Sequence, residues 1–221
     1  MIVVEVLPIS MRIIPLERPI WKPQNFCDSL YDILQAHGVD QFVLMGHSYG
    51  TFLSAHILRD SKLESRVTSV ILLDPITFLL FHPSLVYNFV YRVPGAWRAN
   101  EWMIWYFTSR DISVAALLQR RFFWSGGVLW RDDGVLRSRR SLILLAGQDQ
   151  IISSLQVWKY LTGTPISEYD ARGGEIPKET VEWTDDELRV ILNIKLDHAQ
   201  ILMQPSKYSL IIDYLNHPLI S

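Results

Sequence analysis

Three features of the sequence predict an α/β fold: a mostly parallel sheet with helices on both faces. Apolar runs of five to seven residues alternate with stretches whose apolar residues recur at helical spacing, the order of strand–helix units. The strand-like runs are nearly continuous rather than alternating, as in strands covered on both faces. One joint is the sharp sequence Gly46-His47-Ser48-Tyr49-Gly50, set between an apolar run and a helical pattern.

Taken in order, Ile2 to Leu7 reads as a first short strand, ended by Pro8. Ser10 to Pro23 is a loop, because Pro15, Pro19 and Pro23 forbid a helix. Phe26 to His37 carries Phe26, Leu30, Ile33 and Leu34 on one helical face and meets Gly38 as a stop. Gln41 to Met45 is a strand, Thr51 to Arg59 a helix, and Val67 to Leu73 a strand closed by Asp74-Pro75. Ser141 to Ala146 is a further strand. Ser153 to Leu161 is a helix in which Ser153 and Gln156 have capping-box spacing. Gly163 to Asp186 is expected to be an acidic loop, with Gly173, Gly174 and Pro177. Leu188 to Leu196 reads as the last strand, and Pro205 to Leu215 as a helix with Pro in its first turn.

With 221 residues, 49% hydrophobic and 20% charged, the chain has the make-up of one packed domain. A net charge of −2 gives it no overall attraction to nucleic acid, which is not an expected partner. The basic cluster Arg137, Arg139, Arg140 reads as a solvated strand entry. Cys27 is the single cysteine and no signal peptide is visible, which favours a cytoplasmic setting. The longest apolar region, Val67 to Val90, is broken by Asp74, Pro75, His82 and Pro83; that argues against a membrane span, while the part after Pro75 is a candidate for peripheral lipid contact.

The Gly46–Gly50 element has a specific physics. A strand turning sharply into a helix holds its central Ser in an exposed, strained conformation, and glycines two before and two after remove side chains that would clash. The helix that follows aims its free N–H groups at whatever the Ser attacks. In this form, with its flanking strand and helix, the stretch resembles the α/β-hydrolase superfamily of the Gly-His-Ser-x-Gly type. The resemblance implies Ser48 as nucleophile, the N–H of Tyr49 as an oxyanion donor, and a chain order of Ser, acid, His. His198 comes directly after the last strand, in Leu196-Asp197-His198, which is similar to the family's Asp-His motif. His37, His56, His82 and His217 close no strand, and His47 is expected to pack beside the turn. Asp149, in Gly147-Gln148-Asp149-Gln150, resembles the acid loop. Asp74 is the alternative acid, though its position before Pro75 also suits a turn cap. Asp197 is expected to fix its own turn.

A Ser nucleophile implies acyl transfer: hydrolysis of an ester, thioester or amide, with an apolar small-molecule ester as the expected substrate. No His/Cys/Asp set has metal-ligand spacing and no Gly-rich phosphate loop appears, so neither metal nor cofactor is expected. The resemblance divides the chain into a core, 1–76 and 138–221, and a cap insertion at about 77–137. The cap holds Trp97, Trp102, Trp105, Trp124 and Trp130 with Phe107, Phe122 and Phe123, either as its own core or as an aromatic acyl pocket.

Matched backwards from Ser48, Ile2 to Leu7 corresponds to the family's fourth strand, and strands one to three lie outside the sequence. Two expectations follow. Ile2–Leu7 pairs directly with Gln41–Met45, and either the sequence is a piece of a longer hydrolase or the second oxyanion donor comes from a partner or from the segment Ile9 to Arg12. A non-catalytic protein binding an apolar ligand is the alternative reading.

Overall fold

The computed structural model describes residues 1–10, 22–95, 98–166 and 179–216. Within them the apolar runs assemble into one five-stranded sheet. Its strands are β1 (Phe42–His47), β2 (Val67–Leu73), β3 (Arg140–Ala146), β4 (Thr180–Asp185) and β5 (Leu188–Asn193), in spatial order β1-β2-β3-β5-β4. The pairs β1/β2, β2/β3 and β3/β5 are parallel, and β4 runs antiparallel to β5. The sheet is thus mostly parallel, and its central strands are buried on both faces.

One face carries Val70, Leu72, Ile143, Leu145, Val190 and Leu192. It is covered by α1 (Pro23–Ala36), α2 (Tyr49–Ile57) and α7 (Ser154–Thr162), through residues such as Leu30, Phe52 and Trp158. The opposite face carries Ile71, Leu73, Leu142, Leu144 and Ile191 and packs on Ile211 and Tyr214 of α8 (Pro205–Asn216). α1 begins at Pro23 itself, because the missing N–H of a proline costs nothing in a first turn. Ser153 stands at the N-cap of α7, but its side chain caps nothing, so the expected capping box does not form.

Between β2 and β3 the chain builds short helices: α3 (Pro83–Val86), α4 (Ala99–Ile104), α5 (Ile112–Arg121) and α6 (Trp124–Gly127). Wider π-helical turns follow α3 and α4, at Tyr87–Tyr91 and Trp105–Ser109. Asp111 caps α5 by accepting the N–H of Val114 at 2.9 Å. The two ends of this segment meet: the Leu129 N–H donates to the Thr77 carbonyl at 3.0 Å, and the Thr77 hydroxyl donates to the Gly127 carbonyl. Gly127 lies so close to Phe52 of α2 that a Cβ there would be 2.0 Å from the ring.

Two expectations are corrected. Ile2–Leu7 is not a strand and does not pair with Gln41–Met45. Leu7–Ile9 forms a 3₁₀ turn, started by Pro8, that packs against α5. Val4 and Val6 are half-buried against the core, so the run meets its apolar demand without a β ladder. β1 therefore has a sheet neighbour on one side only among the described residues, and Val43 and Met45 are 41% and 51% exposed. Second, Thr180–Asp185, expected within an acidic loop, is strand β4. The alternation of Val181 and Trp183 with Glu182 and Thr184 is a half-buried edge-strand pattern, and Glu182 receives a 2.6 Å bond from Arg189 across the pair. Pro15, Pro19, Gly173, Gly174 and Pro177, and also Arg12, Trp97 and His217, lie outside the described residues.

Candidate active site

The site is assembled at the carboxyl ends of β1, β2, β3 and β5, where open α/β sheets place their ligands. Ser48 stands between β1 and α2 with φ at +50°, a conformation that costs a non-glycine residue of order 1–3 kcal/mol. The turn is held from three sides. The Ser48 N–H donates to the Leu73 carbonyl at 3.0 Å, the Ser48 carbonyl accepts the Thr51 hydroxyl at 2.6 Å, and that hydroxyl accepts the Ile76 N–H at 3.1 Å. A Cβ on Gly46 would sit 2.5 Å from Ser54 Oγ and 2.9 Å from the Gly50 carbonyl oxygen, whereas one on Gly50 would meet nothing within 4 Å. Only the first glycine is thus required by close approach here. Gly46→Ala is expected to lower stability by about 1–3 kcal/mol, and Gly50→Ala by less than about 1 kcal/mol, in thermal unfolding.

His198 is carried on the turn after β5. Its Nε2 is 2.9 Å from Ser48 Oγ and its Nδ1 is 2.7 Å from Asp149 Oδ2. Asp149 is oriented by its own loop, since Oδ1 accepts the N–H groups of Ile151 and Ile152 at 2.7 and 3.0 Å. The side chains of both His198 and Asp149 are withdrawn from solvent. Burial alone pushes the His198 pKa down. The charge and hydrogen bond of Asp149, helped by the charges of Asp74 and Asp197, outweigh it and hold the imidazole above its ordinary value.

The remaining acids and histidines have other work. Asp74, with φ at +41°, ties the strand ends together: Oδ1 accepts the Ala146 N–H at 3.1 Å and Oδ2 the Ala199 N–H at 2.8 Å. Asp197 fixes its turn, accepting the N–H of His198 at 2.6 Å and both the N–H and side-chain amide of Gln150. It also accepts Asn100 Nδ2 of α4 at 2.8 Å. His47 lies with its ring 5.2 Å from that of His198 and its Nε2 3.6 Å from Asp74. His56 is pushed down to about 4 by burial and by Arg59, and it packs on Phe52. His82 caps α3, and His37 closes α1. Asp74, Asp149 and His198 bring ligand-type atoms within 4.8 Å of one another. Both ring nitrogens of His198 and all four carboxylate oxygens are engaged in the bonds above, so every one of these atoms already has a partner within the protein.

The hydroxyl of Ser48 opens into a cavity of about 820 Å³. Its walls are mostly apolar, with Ile76, Leu80, Leu85 and Phe89 on one side and Val114 and Leu118 of α5 on another. Of the aromatic residues expected in a cap, Phe122 and Trp124 line the cavity. Phe122 packs tilted against Phe52 at 4.7 Å and approaches Tyr49 at 6.3 Å, joining the segment between β2 and β3 to the helix after Ser48. Trp102 pairs with Trp105 and Trp130 with Phe81, while Phe107 and Phe123 are exposed. Arg110, Asn100 and Gln150 reach the site or its supports from partners 20 to 97 positions away, and no local pattern marks them.

Tyr49 opens α2, so its N–H is one of the free donors of that helix end and stands beside Ser48. The Ile9 side chain lines the cavity, but the N–H groups of Ile9 and Ser10 are spent on the Val6 and Leu7 carbonyls, so neither supplies the second donor expected of this segment.

The sequence family described as the alpha/beta hydrolase fold matches residues 17–102. No curated protein matches the chain in sequence. Among solved structures, the chain is similar to a meta-cleavage product hydrolase from Pseudomonas fluorescens IP01, at 14% identity and a TM-score of 0.53, over 90% of this chain and 74% of that one. The 2-hydroxy-6-oxo-6-phenylhexa-2,4-dienoate hydrolase from Rhodococcus sp. strain RHA1 is similar at 13% identity and a TM-score of 0.53, over 91% and 74%. The N-acyl homoserine lactonase AidH is similar at 12% identity and a TM-score of 0.50, over 88% and 69%. Family match, sheet order and structural likeness together identify the chain as a protein of the alpha/beta hydrolase fold.

Proposed function

We propose that the protein is a serine hydrolase that cleaves an apolar carboxylic ester or related acyl compound through an acyl-enzyme. What supports the reading is one observation above all: an unbroken hydrogen-bond chain from Ser48 Oγ through His198 to Asp149, at 2.9 and 2.7 Å, whose Ser48 end opens into an apolar cavity. Ser48 Oγ attacks the acyl carbon while its proton passes to His198 Nε2. Asp149 holds the Nδ1–H tautomer and stabilises the imidazolium that forms. The N–H of Tyr49 donates to the oxyanion. Collapse of the tetrahedral adduct expels the alcohol, which takes the proton from Nε2. Water, deprotonated by the same nitrogen, then releases the acid and restores Ser48. In this reading the segment 77–137 is a cap, and its geometry sets acyl specificity; esterase, lipase and thioesterase differ in what the cap admits.

A reading as a non-catalytic binder of apolar ligands is favoured by a specific observation. Among the described residues the N–H of Tyr49 is the single oxyanion donor identified, and one missing donor costs on the order of 3 kcal/mol in the transition state. The two readings separate on labelling with a fluorophosphonate probe followed by peptide mass spectrometry. A hydrolase gives an adduct on Ser48. Its rate rises with pH, because only neutral His198 is a base, and the midpoint lies above the ordinary histidine value of 6.5, as the charge of Asp149 requires. Saturable ligand binding with no adduct at any pH would select the binder.

A further inference from the structure

The insertion that roofs the cavity has an unusual outer surface. Phe81, Val86, Tyr91 and Trp124 line the cavity and are also exposed, at 47%, 47%, 67% and 46%, so they form its rim. Beyond the rim, Tyr87 and Val93 are exposed at 59% and 70% and do not line the cavity. Tyr87 and Tyr91 begin and end one π-helical turn, and Val93 follows two residues on. Exposed apolar residues scattered singly need no account; a cluster of them around the mouth of a cavity does.

Charge points to what covers the cluster. Between residues 77 and 137 the sequence has seven arginines, no lysine and four acidic residues, in a chain with a net charge of −2. No carboxylate lines the cavity among the described residues, and Arg110 does. Its guanidinium lies 4.8 Å from the centre of the Trp105 ring and donates to the Val90 carbonyl at 3.2 Å, beside Tyr91, with no acidic partner among the described residues. Three of the four acids of this segment are engaged elsewhere: Glu101 with Arg98 and the Gly95 N–H, Asp111 with the first turn of α5, and Asp133 with Arg59. An aromatic and aliphatic rim with an unneutralised guanidinium is complementary to the headgroup level of an anionic bilayer. Tyr and Trp are at home there, and an arginine without an acidic partner is drawn to the negative surface. No helix among the described residues is long and apolar enough to cross a membrane.

We propose that this rim docks the protein on an anionic lipid surface, with the cavity mouth facing the bilayer. Docking rests on the hydrolase reading only for its purpose: an apolar ester enters the cavity from the lipid phase without crossing water, and the released acid returns the same way.

The experiment is flotation of the whole protein with vesicles of phosphatidylcholine alone or mixed with phosphatidylserine, at low and high salt. The protein is expected to float preferentially with the mixed vesicles, and added salt should diminish the preference. Arg110→Gln should lower flotation on mixed vesicles by about fivefold, the equivalent of 1 kcal/mol, and leave flotation on phosphatidylcholine unchanged. Tyr87→Ser combined with Val93→Ser should lower flotation on both. Because these two side chains are exposed and outside the cavity, that variant should keep the wild-type rate of fluorophosphonate labelling in vesicle-free buffer, which also reports that it is folded. Failure of the wild-type protein to float with either vesicle, or equal flotation of wild type and both variants, overturns the docking proposal. Absence of a Ser48 adduct without vesicles overturns the hydrolase reading and leaves the flotation result to stand by itself.

Discussion

His198→Ala is expected to slow acylation of Ser48 by about 10⁴-fold or more, read as the rate of fluorophosphonate labelling. The side chain is the single base within reach of Ser48 Oγ in the described structure, and without it the hydroxyl stays protonated at neutral pH. Asp149→Asn preserves the shape of the acid loop but removes the carboxylate that receives Nδ1–H, and is expected to cost about 10⁴-fold through the wrong tautomer. Asp74 provides the control. Its carboxylate accepts the N–H groups of Ala146 and Ala199, so Asp74→Asn turns an amide group against those donors. The expected outcome is a loss of thermal stability with a much smaller loss of labelling than Asp149→Asn. Should Asp74→Asn cost more labelling than Asp149→Asn at equal folded fraction, the acid is Asp74.

Gly147→Ala is expected to be the most damaging small change outside the site. A Cβ at Gly147 would stand 2.6 Å from the Ile194 carbonyl oxygen and 2.7 Å from its Cα, both backbone atoms that cannot swing away as a side chain can. Around this glycine the loop carrying Asp149 is stitched to the loop carrying His198. The Gly147 N–H donates to the Asn193 carbonyl and the Gln148 N–H to the Leu196 carbonyl, each at 2.8 Å. Forcing the two apart should cost about 3 kcal/mol, the upper end of overpacking, and lower the melting temperature by about 6–12 °C. Labelling should also fall by about 10²-fold, because an ångström of displacement between His198 and Asp149 breaks the geometry that proton transfer needs. Unchanged melting and labelling would mean that the loops separate freely and that their register does not set the site.

That Ser48, Asp149 and His198 come together was legible because each is tied to a strand end. Ser48, Asp149 and His198 each follow a strand by a few residues, and a parallel sheet sends all strand ends to one edge. Local chemistry also marked Asp197 as the residue that fixes its own turn. The errors fell where a local pattern is ambiguous. Ile2–Leu7 and Gln41–Met45 have the same apolar character, yet the first became a turn with half-buried valines and the second a strand. No local rule distinguishes an apolar run that finds a sheet from one that finds a helix to lean on. The acid-rich flanks of Thr180–Asp185 hid its two-residue alternation, which took β5 as a partner to become a strand. Gly50 answered to motif expectation but has open space around it, because only the packing of the turn decides which glycine is crowded.

By itself, then, the sequence determined most of the strands and helices, though not Ile2–Leu7 or β4, together with the strand-to-helix turn at Ser48 and the residue types that chemistry demands after strands β3 and β5. These are local properties, set by hydrophobic period, by glycine at Gly46 and by side-chain chemistry. Tertiary structure alone decided the rest: that Asp149 and not Asp74 meets His198, that Gly147 presses on Ile194, that Arg110 stands at the mouth of an apolar cavity, and that β1 is left with one neighbour among the described residues. Each of these depends on groups brought together from distant parts of the chain. A carboxylate's partner is set by which loop its strand places beside it, to within an ångström, and no spacing in the sequence carries that distance.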